Sequence, residues 1–246
     1  MEHPQELPPC VDIQQVTRRF GSKTVLSSMT LQVARGEIFG LLGPSGSGKT
    51  TLVKLIAGID EASTGNVQLL GQRLPKLEMM SRIGYMAQSD ALYTELSGEQ
   101  NLSFFGSLFG LRGARLKERI SYTMSLVGLE KQLNDTVSAY SGGMKRRLSL
   151  AVALLHEPEV LILDEPTVGI DPLLRRSIWT ELEALSRSGT TIIVTTHVMD
   201  EANKCNRLGM IRDGRLIAVG PPESLKLETG SATIEEAFLI YGGAQA

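Results

Sequence analysis

Apolar residues alternate with polar ones along two stretches near the start of the chain. The apolar positions are Val11, Ile13, Val16, Met29, Leu31 and Val33. A period of two residues is typical of antiparallel strands that bury one face. The pattern therefore predicts an antiparallel β-layer, and we expect it to begin near residue 11, after a flexible segment 1–10 that is rich in proline and charge.

Short runs that are mostly apolar predict buried strands at Ile38–Leu42, Ile83–Ala87, Val160–Leu163 and Thr191–Thr195. Apolar residues at helical spacing follow the first run, fill residues of about 90–155, and recur between Leu173 and Ser186. Strands that alternate with helices indicate a parallel sheet and an α/β fold, with about 90–155 as a helical insertion. The turn Arg212–Arg215 predicts a hairpin, and a terminal helix is expected over Ile234–Leu239.

Composition adds only broad limits to this picture. A chain of 246 residues, 42% of them hydrophobic, is long enough for one large α/β domain or two small ones. The net charge of −2 gives no general reason to expect a nucleic-acid partner. Cys10 and Cys205 have no metal or redox spacing, so a reducing, cytoplasmic setting is expected. No apolar run approaches the roughly 20 residues of a membrane-spanning helix.

The candidate chemistry starts at the end of the first buried run. There the chain reads Gly43, Pro44, Ser45, Gly46, Ser47, Gly48, Lys49 and Thr50. This matches the phosphate-binding pattern G-x-x-x-x-G-K-[ST] between a strand and a helix, called the P-loop below. The glycines let successive backbone N–H groups point at one anion. We expect Lys49 to reach the β- and γ-phosphates of a nucleoside triphosphate, and the Thr50 hydroxyl to bind Mg²⁺.

Charged residues follow two of the later buried runs. Ligands of open α/β sheets bind at the carboxyl ends of the strands, where Asp164 and Glu165 emerge. Asp164 suits a direct or indirect role in binding Mg²⁺, and Glu165 suits the general base that polarises water for attack on the γ-phosphate. His197 lies just beyond another strand end and could contact the γ-phosphate, although a single histidine there is more often structural.

A second glycine-rich helix start is formed by Ser141, Gly142 and Gly143. Bare backbone at a helix N-terminus can bind an anion, but Ser-Gly-Gly also suits an ordinary N-cap, and the residues alone leave both interpretations open. A similar Ser-Gly pair lies at 97–98. With Gln100 three residues after Ser97, it predicts a capping box.

The order of these motifs resembles the ATP-binding cassette (ABC) transporter ATPases over about residues 11–240. The matching series contains the P-loop, Gln88, Ser141–Gly143, Asp164, Glu165, Asp171 and His197. The resemblance implies an α/β P-loop NTPase fold with a RecA-like core, an antiparallel β-subdomain and an inserted α-helical subdomain of about 90–155. It also implies that one nucleotide-binding domain covers residues 11–241.

The resemblance further implies ATP and Mg²⁺ as ligands and a role for each matching residue. The implied nucleotide contacts are the P-loop with Thr51, Phe20, Ser141, Gly142, Gly143 and Asp171. Phe20 takes the place of an aromatic residue that stacks on adenine, where tyrosine is commoner. Gln88 would bind Mg²⁺ or the attacking water, and His197 would join Glu165 in catalysis. Because two cassettes of the family enclose two ATP molecules, Ser141 and Gly143 would contact the γ-phosphate held by the other subunit's Lys49.

The residues around Ser141–Gly143, called the signature below, also resemble one branch of the family. Tyr140 and Met144 replace the commonest Leu and Gln, and Lys-Arg-Arg-Leu follows, as in ABC-2 type bacterial exporters for drugs and lipids. Their ATPase and membrane subunits are separate chains. The resemblance therefore implies an ATPase subunit on the inner face of the cell membrane. Its partners would be integral permease subunits and a second copy or a homologous ATPase subunit.

Two other functions would also use a P-loop. A soluble cassette ATPase acting on nucleic acid or ribosomes is the alternative, but one cassette with neither a heptad arm nor a basic face favours the exporter. A P-loop kinase of another family would leave Ser141–Gly143 and His197 unexplained.

Overall fold

The computed structural model describes residues 8–89 and 91–243. Its strands in chain order are β1 (Val11–Phe20), β2 (Lys23–Val33), β3 (Ile38–Leu42), β4 (Thr64–Leu69), β5 (Gln72–Arg73), β6 (Ile83–Met86), β7 (Val160–Asp164), β8 (Thr191–Thr196), β9 (Arg207–Arg212) and β10 (Arg215–Gly220). Its α-helices are α1 (Lys49–Ile56), α2 (Gly98–Leu108), α3 (Gly113–Leu126), α4 (Gly142–Leu154), α5 (Pro172–Arg187), α6 (Met199–Ala202), α7 (Pro222–Thr229) and α8 (Ile234–Tyr241). Short 3₁₀ helices cover Leu77–Arg82, Glu130–Gln132 and Val137–Ala139.

The chain divides into two compact units. The first unit comprises residues 1–80 and 193–246, and the second unit comprises residues 81–192. The domain limits 11–241 and the helical insertion of about 90–155 stay predictions. Of the predicted flexible segment, residues 1–7 lie outside the described residues, and the first strand begins at Val11.

The first unit contains the antiparallel layer that the alternating pattern predicts. The opposed pairs are Val11 with Val33, Ile13 with Leu31, and Val16 with Met29. All these side chains are buried. Strand β4 pairs with the other edge of β1, and β5 pairs with β4, so the order is β2-β1-β4-β5. The predicted antiparallel layer is confirmed.

A second set of strands in the first unit carries the P-loop. Strand β3 is buried at every position, pairs in parallel with β9, and has β8 as its other neighbour. Strands β9 and β10 form the predicted hairpin, whose turn residues Asp213 and Gly214 both have positive φ, at 49° and 71°. Such a turn matches the twist of the two strands it joins.

The second unit combines a parallel strand pair with helices. Strands β6 and β7 run in parallel, from Ile83 opposite Val160 to Met86 opposite Leu163. Ser97 begins α2 with the predicted capping box: its hydroxyl accepts the Gln100 N–H at 3.1 Å, and the Gln100 side chain accepts the Ser97 N–H at 2.9 Å. The parallel arrangement and this helix start are confirmed. In the described ranges 8–89 and 91–243, no helix combines the length and apolar character needed to span a membrane.

Candidate nucleotide site

The P-loop connects β3 to α1 in the first unit, and its course requires glycine. Gly46 and Gly48 have φ of 78° and 107°, in a region that side chains rarely adopt. A Cβ at Gly43 would overlap the carbonyl oxygen of Ile211, and one at Gly48 would lie 2.7 Å from Leu26 Cδ2. The loop therefore presents bare backbone ahead of the N-terminus of α1, which suits the close approach of an anion.

The polar side chains of the P-loop complete this anion cradle. Lys49, the first residue of α1, donates from Nζ to the carbonyl oxygens of Gly43 at 2.7 Å and Pro44 at 3.0 Å. Thr50 and Thr51 follow it in the first helical turn and are half-buried. The Ser47 hydroxyl is buried and has no hydrogen-bond partner within the described part of the chain. One cation, several hydroxyls and the N–H groups at the N-terminus of α1 form a set that fits a phosphate chain.

His197 lies near the P-loop in the same unit. It lines a cavity of about 170 Å³ together with Leu42, Gly43, Pro44, Met199 and Phe238. The turn that carries it is held by Thr196, whose hydroxyl donates to Glu201 at 2.7 Å and accepts the Val198 N–H at 2.9 Å. The structure thus brings this histidine to the P-loop, and its contact with the γ-phosphate stays a prediction.

Phe20, the predicted adenine-stacking residue, ends β1 and is 51% exposed. The Arg18 guanidinium lies over its ring, 4.4 Å from the centroid. That guanidinium is fixed by two bonds to Asp60, from Nε at 3.0 Å and from Nη2 at 2.6 Å. A cation therefore covers one ring face, and adenine stacking would use the opposite face.

The two predicted acids lie at the end of β7 in the second unit. Asp164 is only 1% exposed. Glu165 follows it with φ of 54°, an uncommon and costly backbone conformation for a residue with a side chain. Strain of this kind concentrates at functional sites, and here it falls on the residue predicted to act as the general base.

The charge of Asp164 affects the pKa of Tyr85. Burial, together with the nearby Asp164 carboxylate, raises the pKa of Tyr85 to about 12, although the Arg146 guanidinium opposes the shift. The phenol therefore stays neutral at physiological pH. Its hydroxyl is buried without a hydrogen-bond partner among the residues that the structure describes.

Arg146, which was not predicted, joins the two segments of the second unit that contain the predicted residues Gln88 and Glu165. Its guanidinium is buried and donates from Nη1 to the carbonyl oxygens of Ala87 at 2.6 Å and Gln88 at 3.0 Å. Nη2 donates to the carbonyl oxygens of Asp164 and Glu165, the latter at 2.8 Å. A signal was available, because Arg146 shares the buried stripe of its helix with residues 150 and 154, at steps of four.

Ser141 and Asp171 both act as helix caps. The Ser141 hydroxyl accepts the Met144 N–H at 3.2 Å at the start of α4, and Asp171 Oδ1 accepts the Leu174 N–H at 3.0 Å at the start of α5. The N-cap interpretation of Ser141 is therefore confirmed. It does not exclude the anion cradle, because Gly142 and Gly143 form the first turn of α4, where backbone N–H groups lack helical partners. Phosphate binding by both segments stays a prediction.

The residues present fit ATP and Mg²⁺ chemically. The predicted metal ligands are the hydroxyl of Thr50, the amide oxygen of Gln88 and the carboxylate of Asp164. All are hard oxygen donors of the kind that Mg²⁺ prefers. The P-loop supplies the cationic side chain and bare backbone that a triphosphate requires.

Comparison with known proteins assigns the family. Residues 26–168 match the ABC transporter family. The chain is 41% identical over 236 residues to the probable multidrug ABC transporter ATP-binding protein YbhF of Escherichia coli (strain K12), covering 93% of this chain and 41% of that protein. It is also 41% identical over 229 residues to Nod factor export ATP-binding protein I of Paraburkholderia xenovorans (strain LB400), covering 92% of this chain and 75% of that protein.

A solved structure agrees with this assignment. The dimeric post-hydrolysis state of the ATP-binding cassette MJ0796, bound to ADP and Pi, matches with a TM-score of 0.79 and 25% identity, over 86% of this chain and 98% of that one. Fold and motifs together define a P-loop ATPase of the cassette class. The chain belongs to the ABC transporter family, which confirms the resemblance seen in the sequence, although it spans less than half of YbhF.

Proposed function

We propose that this chain is the ATP-hydrolysing subunit of an exporter and powers transport through separate integral membrane permease subunits. The carrying observation is the 41% identity to a Nod factor export ATP-binding protein over 92% of the chain. The P-loop cradle, the strained Glu165 and the capped Ser-Gly-Gly helix supply the chemistry that such a subunit needs. The chain would work at the inner face of the cell membrane, held there by its permease.

Each predicted residue has a role in this proposal. Lys49 and the N–H groups of the P-loop bind the β- and γ-phosphates and orient the γ-phosphate for attack. Glu165 accepts a proton from the attacking water, and His197 helps to position the γ-phosphate. Thr50, Gln88 and Asp164 would hold Mg²⁺, which offsets phosphate charge when bound.

The remaining predicted residues bind the adenine base or contact the nucleotide of a second cassette. Phe20 stacks on adenine through its free face. Ser141, Gly142 and Gly143, with Asp171, contact the nucleotide held by a second copy or a homologous ATPase subunit. The dimeric state of MJ0796 supports this arrangement.

The first test is the hydrolysis rate of purified protein with Glu165→Gln. Loss of a well-placed general base lowers turnover by about 10²–10⁴-fold, and ATP binding should be retained because the P-loop is untouched. Glu183→Gln, which changes an exposed acid on α5, is the control and should keep the parent rate. Turnover at the parent rate in the Glu165 variant would show that the base is another residue.

The second test concerns the partner. Recovery of the chain in the membrane fraction with an integral membrane protein supports the exporter. Association that is lost on treatment with DNase or RNase would instead favour the soluble cassette ATPase acting on nucleic acid or ribosomes.

A further inference from the structure

Arg146 has an unusual set of contacts for a buried cation. Its two terminal nitrogens donate to four backbone carbonyls, at Ala87, Gln88, Asp164 and Glu165. Burying a guanidinium is costly unless its donors are satisfied, and here backbone carbonyls satisfy them. The carbonyls come from two segments that are far apart in sequence and follow the paired residues of strands β6 and β7, so Arg146 bridges the two segments just beyond the end of their pairing.

The planar geometry of the guanidinium makes this spacing specific. Arginine presents its N–H groups in a rigid fork, whereas a lysine ammonium is a compact charge on a flexible stem. One nitrogen of Arg146 serves the segment that contains Gln88, and the other serves the segment that contains Glu165. The guanidinium plane therefore constrains the two segments where the β6–β7 pairing ends.

Arg146 also ties these segments to the helix that begins at Ser141. It lies in the second turn of α4, whose N-terminus is the predicted contact for a nucleotide on a second cassette. Because α4 is one continuous helix, a displacement of its first turn moves Arg146 with it. Such a displacement would act on the segments 87–88 and 164–165 through the four bonds of Arg146.

We propose that Arg146 is a positioning residue that fixes Gln88 and the base Glu165 relative to each other and links both to the Ser141 end of α4. This rests on the proposed ATPase function. Arg146 itself touches neither nucleotide nor water in this role. It acts through the backbone of the residues that do, and its loss should lower turnover more than ATP binding.

Arg119 offers a matched control within the same unit. Its guanidinium is also buried and also donates to two backbone carbonyls of this region, at Leu154 by 2.9 Å and Leu155 by 3.0 Å. These carbonyls lie at the opposite end of α4 and belong to no catalytic segment. Arg119→Lys and Arg146→Lys therefore both remove guanidinium bonds to backbone carbonyls at the two ends of one helix, and Arg119 additionally faces Glu157 at 3.4 Å.

The kinetic test compares these two variants. Both should unfold at lower temperature than the parent. We expect Arg146→Lys to lower kcat per folded molecule by at least about tenfold with KM for ATP changed by less than about threefold, because misplacement of catalytic groups acts on turnover. Arg119→Lys should keep the parent kcat. Equal kcat values for the two variants, normalised to the folded fraction, would overturn the proposal.

A second measurement does not depend on hydrolysis. Hydrogen exchange of peptides covering residues 85–89 and 164–167 should be faster in Arg146→Lys than in both the parent and Arg119→Lys. Unchanged exchange there would overturn the positioning role, even if the parent hydrolyses no ATP. A parent without ATPase activity whose Arg146 variant shows faster exchange would contradict the proposed function and leave the positioning role standing.

Should Arg146→Lys fail to fold, Arg146→Ala assayed with and without millimolar guanidinium decides the same question. Recovery of kcat by guanidinium, without recovery by the same concentration of ammonium, is the expected result. Activity of the alanine variant that equals the parent without guanidinium would overturn the proposal.

Discussion

His156 is a nearly buried base whose charge is suppressed by its surroundings. Its ring stacks on Phe109 with centroids 3.7 Å apart and planes 6° from parallel, and Nε2 donates to the Ile83 carbonyl at 3.1 Å. Nδ1 is buried without a hydrogen-bond partner in the described part of the chain. Burial therefore lowers the pKa of His156 to about 4, with a smaller contribution from Arg119 and some opposition from the Ile83 bond.

This lowered pKa predicts a pH-dependent stability. An unfolded histidine titrates near 6.5, so between pH 6.5 and 4 the unfolded chain binds a proton that the folded chain does not. The contribution of His156 is full above about pH 6.5 and is lost as the pH falls. Between pH 7 and 5 we expect the parent to lose roughly 1–2 kcal/mol more unfolding free energy than His156→Gln, measured by urea titration. Identical pH profiles would show that another group is responsible.

The sequence could name most of the candidate side chains but not their geometry. The motifs around Lys49, Asp164 and Glu165 are local patterns, and each follows a strand that periodicity predicts. The positive φ of Glu165 and the four carbonyls around Arg146 depend on where distant backbone segments lie. Arg146 was not recognised because it lies in a run of basic residues, although its position on the apolar stripe of its helix indicates a side chain that points inward.

At the scale of single elements, α2 and α4 begin in nearly the same way. Ser97 accepts the Gln100 N–H at 3.1 Å, and Ser141 accepts the Met144 N–H at 3.2 Å. Both are serine N-caps followed by glycine. Only Ser141 lies in the signature that is expected to contact a nucleotide. A comparison of the two serines therefore distinguishes the effect of helix capping from the effect of phosphate binding.

Replacing each serine with alanine tests this separation. Loss of the N-cap bond should cost about 1 kcal/mol of unfolding free energy in both Ser97→Ala and Ser141→Ala. Only Ser141→Ala should also lower kcat, by about 10–100-fold, because a hydrogen bond to a charged phosphate is lost as well. Denaturant titration and steady-state ATPase assays measure the two effects. Parent-like turnover in Ser141→Ala would leave capping as the function of that serine.

The β9–β10 hairpin contacts the P-loop through Gly214. Its N–H donates to the Ser47 carbonyl at 3.1 Å, and its carbonyl accepts the Ser27 N–H at 2.9 Å. A Cβ at Gly214 would overlap the carbonyl oxygen of Val25. The hairpin turn therefore determines where one end of the phosphate cradle lies.

Gly214→Ala should weaken ATP binding, and Gly71→Ala is its matched control. Gly71 has φ of 77° against 71° for Gly214, but a Cβ there meets nothing within 4 Å. Both variants should lose stability from the left-handed backbone. Only Gly214→Ala should displace the P-loop and raise the dissociation constant for ATP, by about tenfold or more, as measured by fluorescence titration. Equal affinities in the two variants would show that the turn does not position the loop.

The presence and type of several elements were predicted where burial is periodic, although the end of β1 at Phe20 and the start of β2 at Lys23 were not. Strands β1, β2, β3 and β7 and helix α5 lie where the patterns indicated. Two of the elements that were not predicted are too short for periodicity to mark. Strand β5 has two exposed residues and exists through its pairing with β4. Helix α6 has four residues, too few for a helical repeat.

At the scale of the whole molecule, the first unit is assembled from two stretches that are distant in sequence. Contacts such as Ser47 with Gly214, and Ile38 with Asn206, join residues 1–80 to residues 193–246. No local pattern encodes these contacts. The α/β class was nevertheless predicted from the alternation of strands and helices, and the order of the motifs along the chain added the family, which local periodicity cannot indicate.

The cassette arrangement predicts that two chains associate when ATP persists. With hydrolysis blocked by Glu165→Gln, ATP should convert monomers to dimers, which light scattering measures directly, because each Ser141 helix would bind a phosphate held by the other chain. Adding Ser141→Arg should abolish dimers, since bulk and charge would occupy the phosphate position. Ser97→Arg is the control, because it places the same side chain at the similar helix start of α2, and its dimers should persist. Dimers that survive Ser141→Arg would mean that the chains associate through another surface and that each P-loop completes its site without a second signature helix.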